Sequence, residues 1–382
     1  MKFIKIAKTA LILVYLVVIA GALVRMTGSG MGCPDWPKCF GYYIPPTNIQ
    51  ELTWTENRLF KKGQVIIKNE QLLVAKEDCV TGKKFDATQW NKYTKHDYAE
   101  FNPTHTWVEY INRLFGALSG FACLAMSFYS LGYWKKNKLI PILSWLVVFM
   151  MGFQAWLGAT VVYSVLNPVK ITLHMIMALV IIAFIIYIIF LADLKSNSKI
   201  PDNTFRNLLW ATITMTLIQV VLGTQVRQFI DEQVKSGIEN PTLWLSNPQI
   251  SFYIHRSFSI LVLATNLFLY FRNKKLNLGF KEMNWVLLLL VLEILSGIFI
   301  YYLNFPFGSQ TIHLVLASIL FEFNFIYYSN LNKKTISLSK FICRGCPKSN
   351  KSTCNLSLRN EESHNQHYVI SPFGRNERLR TF

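Results

Sequence analysis

The chain has 382 residues and carries 39 Lys and Arg against 21 Asp and Glu, a formal net charge of +18, yet only 16% of its residues are charged and 52% are hydrophobic. A soluble domain usually carries about 25% charged residues, so this composition excludes an ordinary water-soluble protein. The basic residues gather in short segments between apolar runs, a pattern of membrane orientation and not of nucleic-acid binding.

Eight apolar runs reach the length that a helix needs to cross a bilayer core, about 20 residues. They lie near residues 9–27, 107–131, 140–163, 171–192, 207–226, 252–271, 285–303 and 311–330. In lipid each run must satisfy its own backbone hydrogen bonds, which predicts helices. The first follows Lys2, Lys5 and Lys8 and leads into Arg25 with no small-residue cleavage signal, so it reads as a retained anchor.

The connecting segments alternate in charge. Lys135, Lys136 and Lys138 follow the second run, Lys195, Lys199 and Arg206 the fourth, Arg272, Lys274, Lys275 and Lys281 the sixth, and Lys333, Lys334 and Lys340 the eighth. This set predicts cytoplasmic termini, with segments 28–106, 164–170, 228–251 and 304–310 outside.

The two halves repeat. Gly21-Ala-Leu-Val-Arg25 matches Gly223-Thr-Gln-Val-Arg227, and Tyr110-Ile-Asn-Arg113 matches Tyr253-Ile-His-Arg256. Gly158 precedes His174 by 16 residues, as Gly297 precedes His313. Four spans per copy is an even number, so both copies enter the membrane in the same direction. The expected fold is an all-α integral membrane protein, its eight transmembrane helices forming two tandem four-helix bundles related by a pseudo-twofold axis along the membrane normal. Residues 1–200 form the first half, including the long outer loop 28–106. Residues 201–332 form the second, and 333–382 a flexible cytoplasmic tail.

His255 opens the sixth span and His313 the eighth, on helices that run in the same direction. Two imidazoles at one depth on facing helices suit the two axial positions of a haem iron. Zinc needs two more ligands than this half offers there. Structural histidines that bond across helices are the plainer alternative. Haem propionates need cationic partners, and guanidinium groups match carboxylates in geometry. Arg25, Arg113, Arg227 and Arg256 are the candidates, with snorkelling to lipid phosphates the competing role for Arg227 and Arg256.

In the first half His174 stands where the second has His313. Asn112 replaces the other histidine, and Glu109 stands where the second copy has Phe252. A saturated iron suits electron transfer, whereas an acid beside an unfilled coordination position suits chemistry. Catalysis is therefore expected in the first half and electron relay in the second. His105, two turns above Asn112, supplies a substitute ligand only if its helix begins early. A salt bridge to Arg113 is the alternative role for Glu109. Glu293 and Gln154 occupy matched places one turn before Gly297 and Gly158, where a structural hydrogen bond is favoured over a proton or quinol-linked role.

Taken together, Gly21–Gly30 with Arg25-Met-Thr-Gly-Ser-Gly30, Glu109–Gly116, Gln154–His174, Tyr253–Arg256 and Glu293–His313 resemble the Cox15/CtaA family, the haem A synthases of cytochrome oxidase assembly. The resemblance implies an enzyme that receives haem O as substrate and oxidises its C8 methyl group to formyl by successive hydroxylations. It implies haem b on His255 and His313, and substrate haem at His174 with Glu109 as the essential catalytic glutamate, relaying protons or steadying a cationic intermediate. It also implies dependence on the farnesyltransferase that makes haem O and on an electron donor of quinol or ferredoxin type. Asn112 departs from the family's ligand pair, and a weakly held or water-filled position opposite His174 is the expected consequence. The oligomeric state is left open. A bacterial cell membrane is favoured over the mitochondrial inner membrane.

Cys33-Pro-Asp-Trp-Pro-Lys-Cys39 faces the oxidising side, where a disulfide persists. A disulfide is favoured over a catalytic redox pair, and zinc is least expected. Related proteins of the family carry a similar cysteine pair. Cys79 is expected to be free, and short amphipathic helices such as 51–62 are expected in the loop. In the tail, Cys343, Cys346, Cys354, His364 and His367 have loose spacing for zinc, and a reduced flexible segment is favoured. Two rival functions are a diheme cytochrome that moves electrons from quinol without modifying haem, and a membrane transporter.

Overall fold

The computed structural model describes residues 2–193, 202–280 and 283–345, with side chains to residue 329. Among these, eight helices are long and apolar enough to cross a bilayer. They are α1 (Lys2–Met26), α2 (Pro103–Ser130), α3 (Leu139–Tyr163), α4 (Pro168–Ala192), α5 (Asn203–Lys235), α6 (Ile250–Lys275), α7 (Met283–Tyr302) and α8 (Ser309–Gly345). The chain is a multi-span membrane protein whose spans are all α-helical.

Several helices begin before their apolar runs because capping chemistry sits upstream. Asn102 accepts from the amides of Thr104 and His105, with Pro103 in the first turn of α2. Asn167 and Pro168 do the same for α4. An amide side chain at the cap satisfies orphan N–H groups, and proline there loses no hydrogen bond. Asp202 caps α5 through the Phe205 amide. At its other end α5 continues to Lys235, into a segment expected as loop.

The α3–α4 and α7–α8 connections share one backbone. Val165 and Leu166 have φ of 51° and 62°, and Asn304 and Phe305 have φ of 57° and 58°. The Leu166 amide donates to the Val161 carbonyl and the Phe305 amide to the Ile300 carbonyl. Non-glycine residues seldom adopt this left-handed region, least of all a β-branched valine. The same uncommon turn thus follows Gly158 and Gly297 at the same spacing.

Buried side chains of the spans fall into two apolar cores. One is built from α1–α4, with Ile213, Val220 and Phe321 reaching in from α5 and α8. The other joins Phe205, Leu209, Val262, Leu269, Val286, Leu290, Leu320 and Tyr327 of α5–α8. Lipid tails are as apolar as these residues, so close packing and interhelical hydrogen bonds hold the spans together. One such bond runs from Tyr15 of α1 to Glu322 of α8, at 2.6 Å.

The connection between α1 and α2 contains five short strands: β1 (Leu59–Phe60), β2 (Val65–Lys68), β3 (Gln71–Ala75), β4 (Cys79–Val80) and β5 (Trp90–Lys92). β1 pairs with β4, and β3 lies between β2 and β5, all antiparallel. The amphipathic helix expected at 51–62 is not formed. Only Ile49–Leu52 makes a 3-10 turn, capped by Asn48, and Leu59–Phe60 is extended. Side chains alternate across the central sheet as a pleated strand requires. Val65 and Leu72 join Cys33, Cys39, Phe40 and Leu52 on one face. Ile66 and Ala75 join Phe60 and Trp90 on the other.

By packing, the chain divides into residues 1–331 and residues 332–382. The expected tail ligands Cys346, Cys354, His364 and His367, and the side chain of Cys343, lie outside the described residues, as do Lys195, Lys199 and Lys281.

Candidate active site

One arrangement occurs four times. A glycine on an odd-numbered helix faces a polar side chain on the next helix. A Cβ on Gly158 would lie 3.3 Å from the Cε1 of His174, one on Gly223 3.2 Å from that of His255, and one on Gly297 3.4 Å from that of His313. The fourth member is Gly21, whose Cβ would lie 3.8 Å from the Oδ1 of Asn112. In the three histidine pairs the same ring edge meets the glycine, so the imidazoles share one orientation against their neighbouring helix. Any larger residue would push the ring away.

The residue four positions before each glycine lies one turn along the same helix face. Gln154 donates to the His174 carbonyl at 2.9 Å, and Gln219 to the His255 carbonyl at 3.0 Å. At the α7 position stands Glu293, which cannot donate when ionised. Its Oε1 lies 3.3 Å from the Nδ1 of His313, and the Ser296 hydroxyl lies 2.8 Å from the same nitrogen. The Nδ1 atoms of His174 and His255 are buried without a partner.

His255 and His313 come together, with ring centres 6.3 Å apart and planes at 76°. Metal–imidazole bonds are about 2 Å long, so one metal between two opposed imidazoles sets their ring centres roughly 6 Å apart. The spacing fits such a pair. Among the described residues no group of three or more His, Cys, Asp and Glu side chains converges as a metal site. The side chain of Arg256, next to His255, is exposed.

In the first half Glu109 is buried on α2. It forms an ion pair with Arg113, and its Oε2 accepts the Cys33 amide at 2.8 Å. Arg113 also donates to the carbonyls of Asp35, Lys38 and Cys33 at 2.6, 2.8 and 3.0 Å. Its five N–H donors are therefore all engaged. Arg113 thus holds a loop, and the salt bridge expected as the alternative role of Glu109 is formed. That loop is closed by a Cys33–Cys39 disulfide, both cysteines being buried. Tyr93 and His96 hold the Pro34 carbonyl at 3.0 and 2.8 Å, and Tyr163 holds that of Trp36 at 3.2 Å. Asp35 accepts the amides of Phe40 and Gly41, while burial pushes its carboxyl above the usual range. Cys79 is free. His105 lies in the first turn of α2, where its backbone carbonyl would be struck by a Cβ on Gly32.

Arg25 and Arg227 meet at Asp231, at 3.4 and 2.8 Å. Arg227 also bonds Gln310 of α8, and the Nε atoms of both arginines are buried without partners. Arg227 is thus tied between helices, and lipid snorkelling does not describe it. Asp231 and Gln310 escaped the sequence reading because both stand in stretches taken as loop or helix margin. Gln219 and Ser296 escaped as well. Gln219 was legible, since it precedes Gly223 by the spacing that separates Gln154 from Gly158.

The COX15-CtaA family model, described as cytochrome oxidase assembly protein, matches residues 5–66 and 80–324. The unmatched stretch holds β3. A protein named heme A synthase from Flavobacterium johnsoniae is 24% identical over 344 residues, covering 81% of this chain and 92% of the relative. Proteins of the same name from Rickettsia prowazekii and Pelagibacter ubique are 25% and 26% identical over 339 and 345 residues. These alignments cover 81% and 84% of this chain, and 92% and 94% of the relatives. With a family model spanning most of its length, the chain belongs to the COX15-CtaA family of cytochrome oxidase assembly proteins.

Proposed function

We propose that this protein is a haem A synthase, an oxidoreductase that converts the C8 methyl of haem O to formyl. The single observation that carries this reading is the set of four glycine cradles, three holding an imidazole and one holding Asn112. The halves, residues 1–200 and 201–332, are two four-helix bundles about a pseudo-twofold axis along the membrane normal. The twin left-handed connections and the two apolar cores support this arrangement.

His255 and His313 would hold haem b in the second half, where the bound group would supply one-electron transfer. The unpartnered Nε atoms of Arg25 and Arg227, and the exposed Arg256, are donors for propionates. In the first half His174 holds substrate haem O from one side. Asn112 faces it as a weak ligand and leaves room for water. Glu109 lies one turn from Asn112 on the same helix face and serves as the acid–base group near the methyl. Arg113 and the Cys33 amide fix the orientation of its carboxylate. The buried disulfide loop closes this end of the bundle and keeps bulk water from the reacting carbon. Orientation, proton handling and water exclusion are what a protein contributes to cofactor-type oxidation.

Both termini are cytoplasmic and the protein lies in a bacterial cell membrane, the basic connections supplying the orientation. Haem O comes from its farnesyltransferase. Expression in a host that makes haem O but lacks haem A tests the activity. Extracted pigment contains haem A with the wild-type chain and only haem O with Glu109→Gln. Haem O left unchanged by the wild-type chain overturns the reading.

A further inference from the structure

The four cradles differ at one position with chemical consequence. Four residues before the glycine stand Val17, Gln154, Gln219 and Glu293. Both glutamines turn away from the imidazole and donate to the histidine's backbone carbonyl. Glu293 instead faces the imidazole Nδ1 of His313, and Ser296 stands 2.8 Å from the same atom. The Ser296 hydroxyl donates to the Glu293 carbonyl at 2.8 Å, which leaves its lone pairs free for the imidazole N–H. With Glu293 accepting as a carboxylate, the proton of His313 sits on Nδ1 and Nε2 keeps its lone pair.

We infer that Glu293 and Ser296 are positioning residues that set the electron affinity of the iron held by His313. This rests on the reading that His255 and His313 share one haem. A ligating imidazole whose outer N–H meets a carboxylate is a stronger donor, and a stronger donor favours the oxidised metal. His255 has no such carboxylate or hydroxyl partner: no side chain bonds its Nδ1, and the nearest acceptor is the Gln219 backbone carbonyl. The pair is electronically lopsided, and the α7 carboxylate is the cause.

The chain supplies its own controls. Glu293→Gln recreates the arrangement of Gln154 and Gln219, so the amide turns to the His313 carbonyl and the fold is retained. Gln219→Glu is the converse and brings a carboxylate to His255. The two variants and the wild type are purified with their haem, and absorption spectra and reductive titrations are recorded. All three keep a low-spin bis-imidazole spectrum. Glu293→Gln favours reduction at least tenfold, a rise of 59 mV for a one-electron couple. Gln219→Glu shifts the potential in the opposite direction. A wild-type protein without that spectrum defeats the assignment of the haem ligands. Intact spectra with unmoved potentials, or with both variants moving the same way, leave that assignment standing and overturn this inference. Should Glu293→Gln lose its haem, the sign of the Gln219→Glu shift decides alone.

Discussion

Arg227 donates from Nη2 to the backbone carbonyl of Arg25 at 3.2 Å, and these are the two arginines that the internal repeat makes equivalent. Equivalent residues of two copies touch only close to the axis that relates them. Contacts around the pair are nearly reciprocal. Thr172 of α4 meets Thr224 of α5, and Thr311 of α8 meets Met26 of α1. Both patterns support the proposed pseudo-twofold arrangement.

Asp231 is the shared ion-pair partner of both arginines, so its removal leaves two cations beside one another. Breaking a buried pair costs about 3–5 kcal/mol, and an exposed pair contributes about 0–1 kcal/mol. Here the side chains are 22%, 17% and 30% exposed, so the cost lies between. Asp231→Ala is expected to destabilise the protein by roughly 2 kcal/mol, read as a lower Tm in detergent. Asp231→Glu restores part of the loss. An unchanged Tm means that other groups carry the compensation.

The glycine cradles make a sharper test. An alanine Cβ at Gly223 or Gly297 must move an imidazole edge that lies 3.2 or 3.4 Å away, whereas at Gly116 nothing lies within 4 Å. Gly223→Ala and Gly297→Ala should lower haem content per chain. Gly116→Ala should keep it and gain up to about 1 kcal/mol from helix propensity. Equal haem retention in all three removes the argument from close approach.

What could be read in the sequence, and what could not, follows from which force dominates each segment. The spans were legible because lipid demands long apolar runs. Their ends were not, because hydropathy ends where capping and ion pairs continue the helix. Asn102 and Asn167 start helices upstream of the apolar run, and α5 runs on past Arg227, which pairs with Asp231 one turn later. The β2–β3 hairpin was missed because its turn is Asn69-Glu70, both at positive φ, without the glycine that usually marks such a turn. The pairing of His255 with His313 followed from the repeat. The geometry of Glu293 did not, since a sequence cannot say which way a side chain turns.

Arg113 gathers three loop carbonyls that a lysine cannot reach together, because an ammonium is a point donor without a fork. Hydrogen bonds to charged groups contribute about 1.5–3 kcal/mol each. In Arg113→Lys the loop should open at least tenfold more often, on the order of one such bond lost. Cys33 and Cys39 are 0% and 1% exposed. Faster reduction by an external thiol, followed by alkylation, therefore reports the opening. Equal rates in the two proteins mean that Tyr93, His96 and Tyr163 suffice to hold the loop.

Asp202 predicts a pH response. Arg272 binds its two oxygens at 2.8 and 2.9 Å and holds its carboxyl below the usual range. With the folded pKa depressed, the stabilisation is complete above the unfolded value of about 3.9. It fades as pH falls through the lower folded value. Asp202→Asn keeps a capping side chain but loses the ion pair, at a cost of about 1 kcal/mol near neutrality. The Tm difference between wild type and Asp202→Asn should shrink in acid. A difference that does not change with pH assigns the effect to capping alone.

Asn112 stands where the other three cradles hold an imidazole. Its Oδ1 is buried without a partner, and a Cβ on Gly21 would approach it no closer than 3.8 Å. The cradle therefore has room for a ring seated as His174 is seated against Gly158. Asn112→His is expected to fill the position opposite His174. With haem supplied, its low-spin signal should grow beyond that of the wild type, whereas Asn112→Leu should show no gain. If the missing ligand is instead His105, in the first turn of the same helix, the wild type already shows two low-spin haems. In that case Asn112→His adds nothing and His105→Ala removes one signal. The spectra of these three variants distinguish an open position opposite His174 from one already filled.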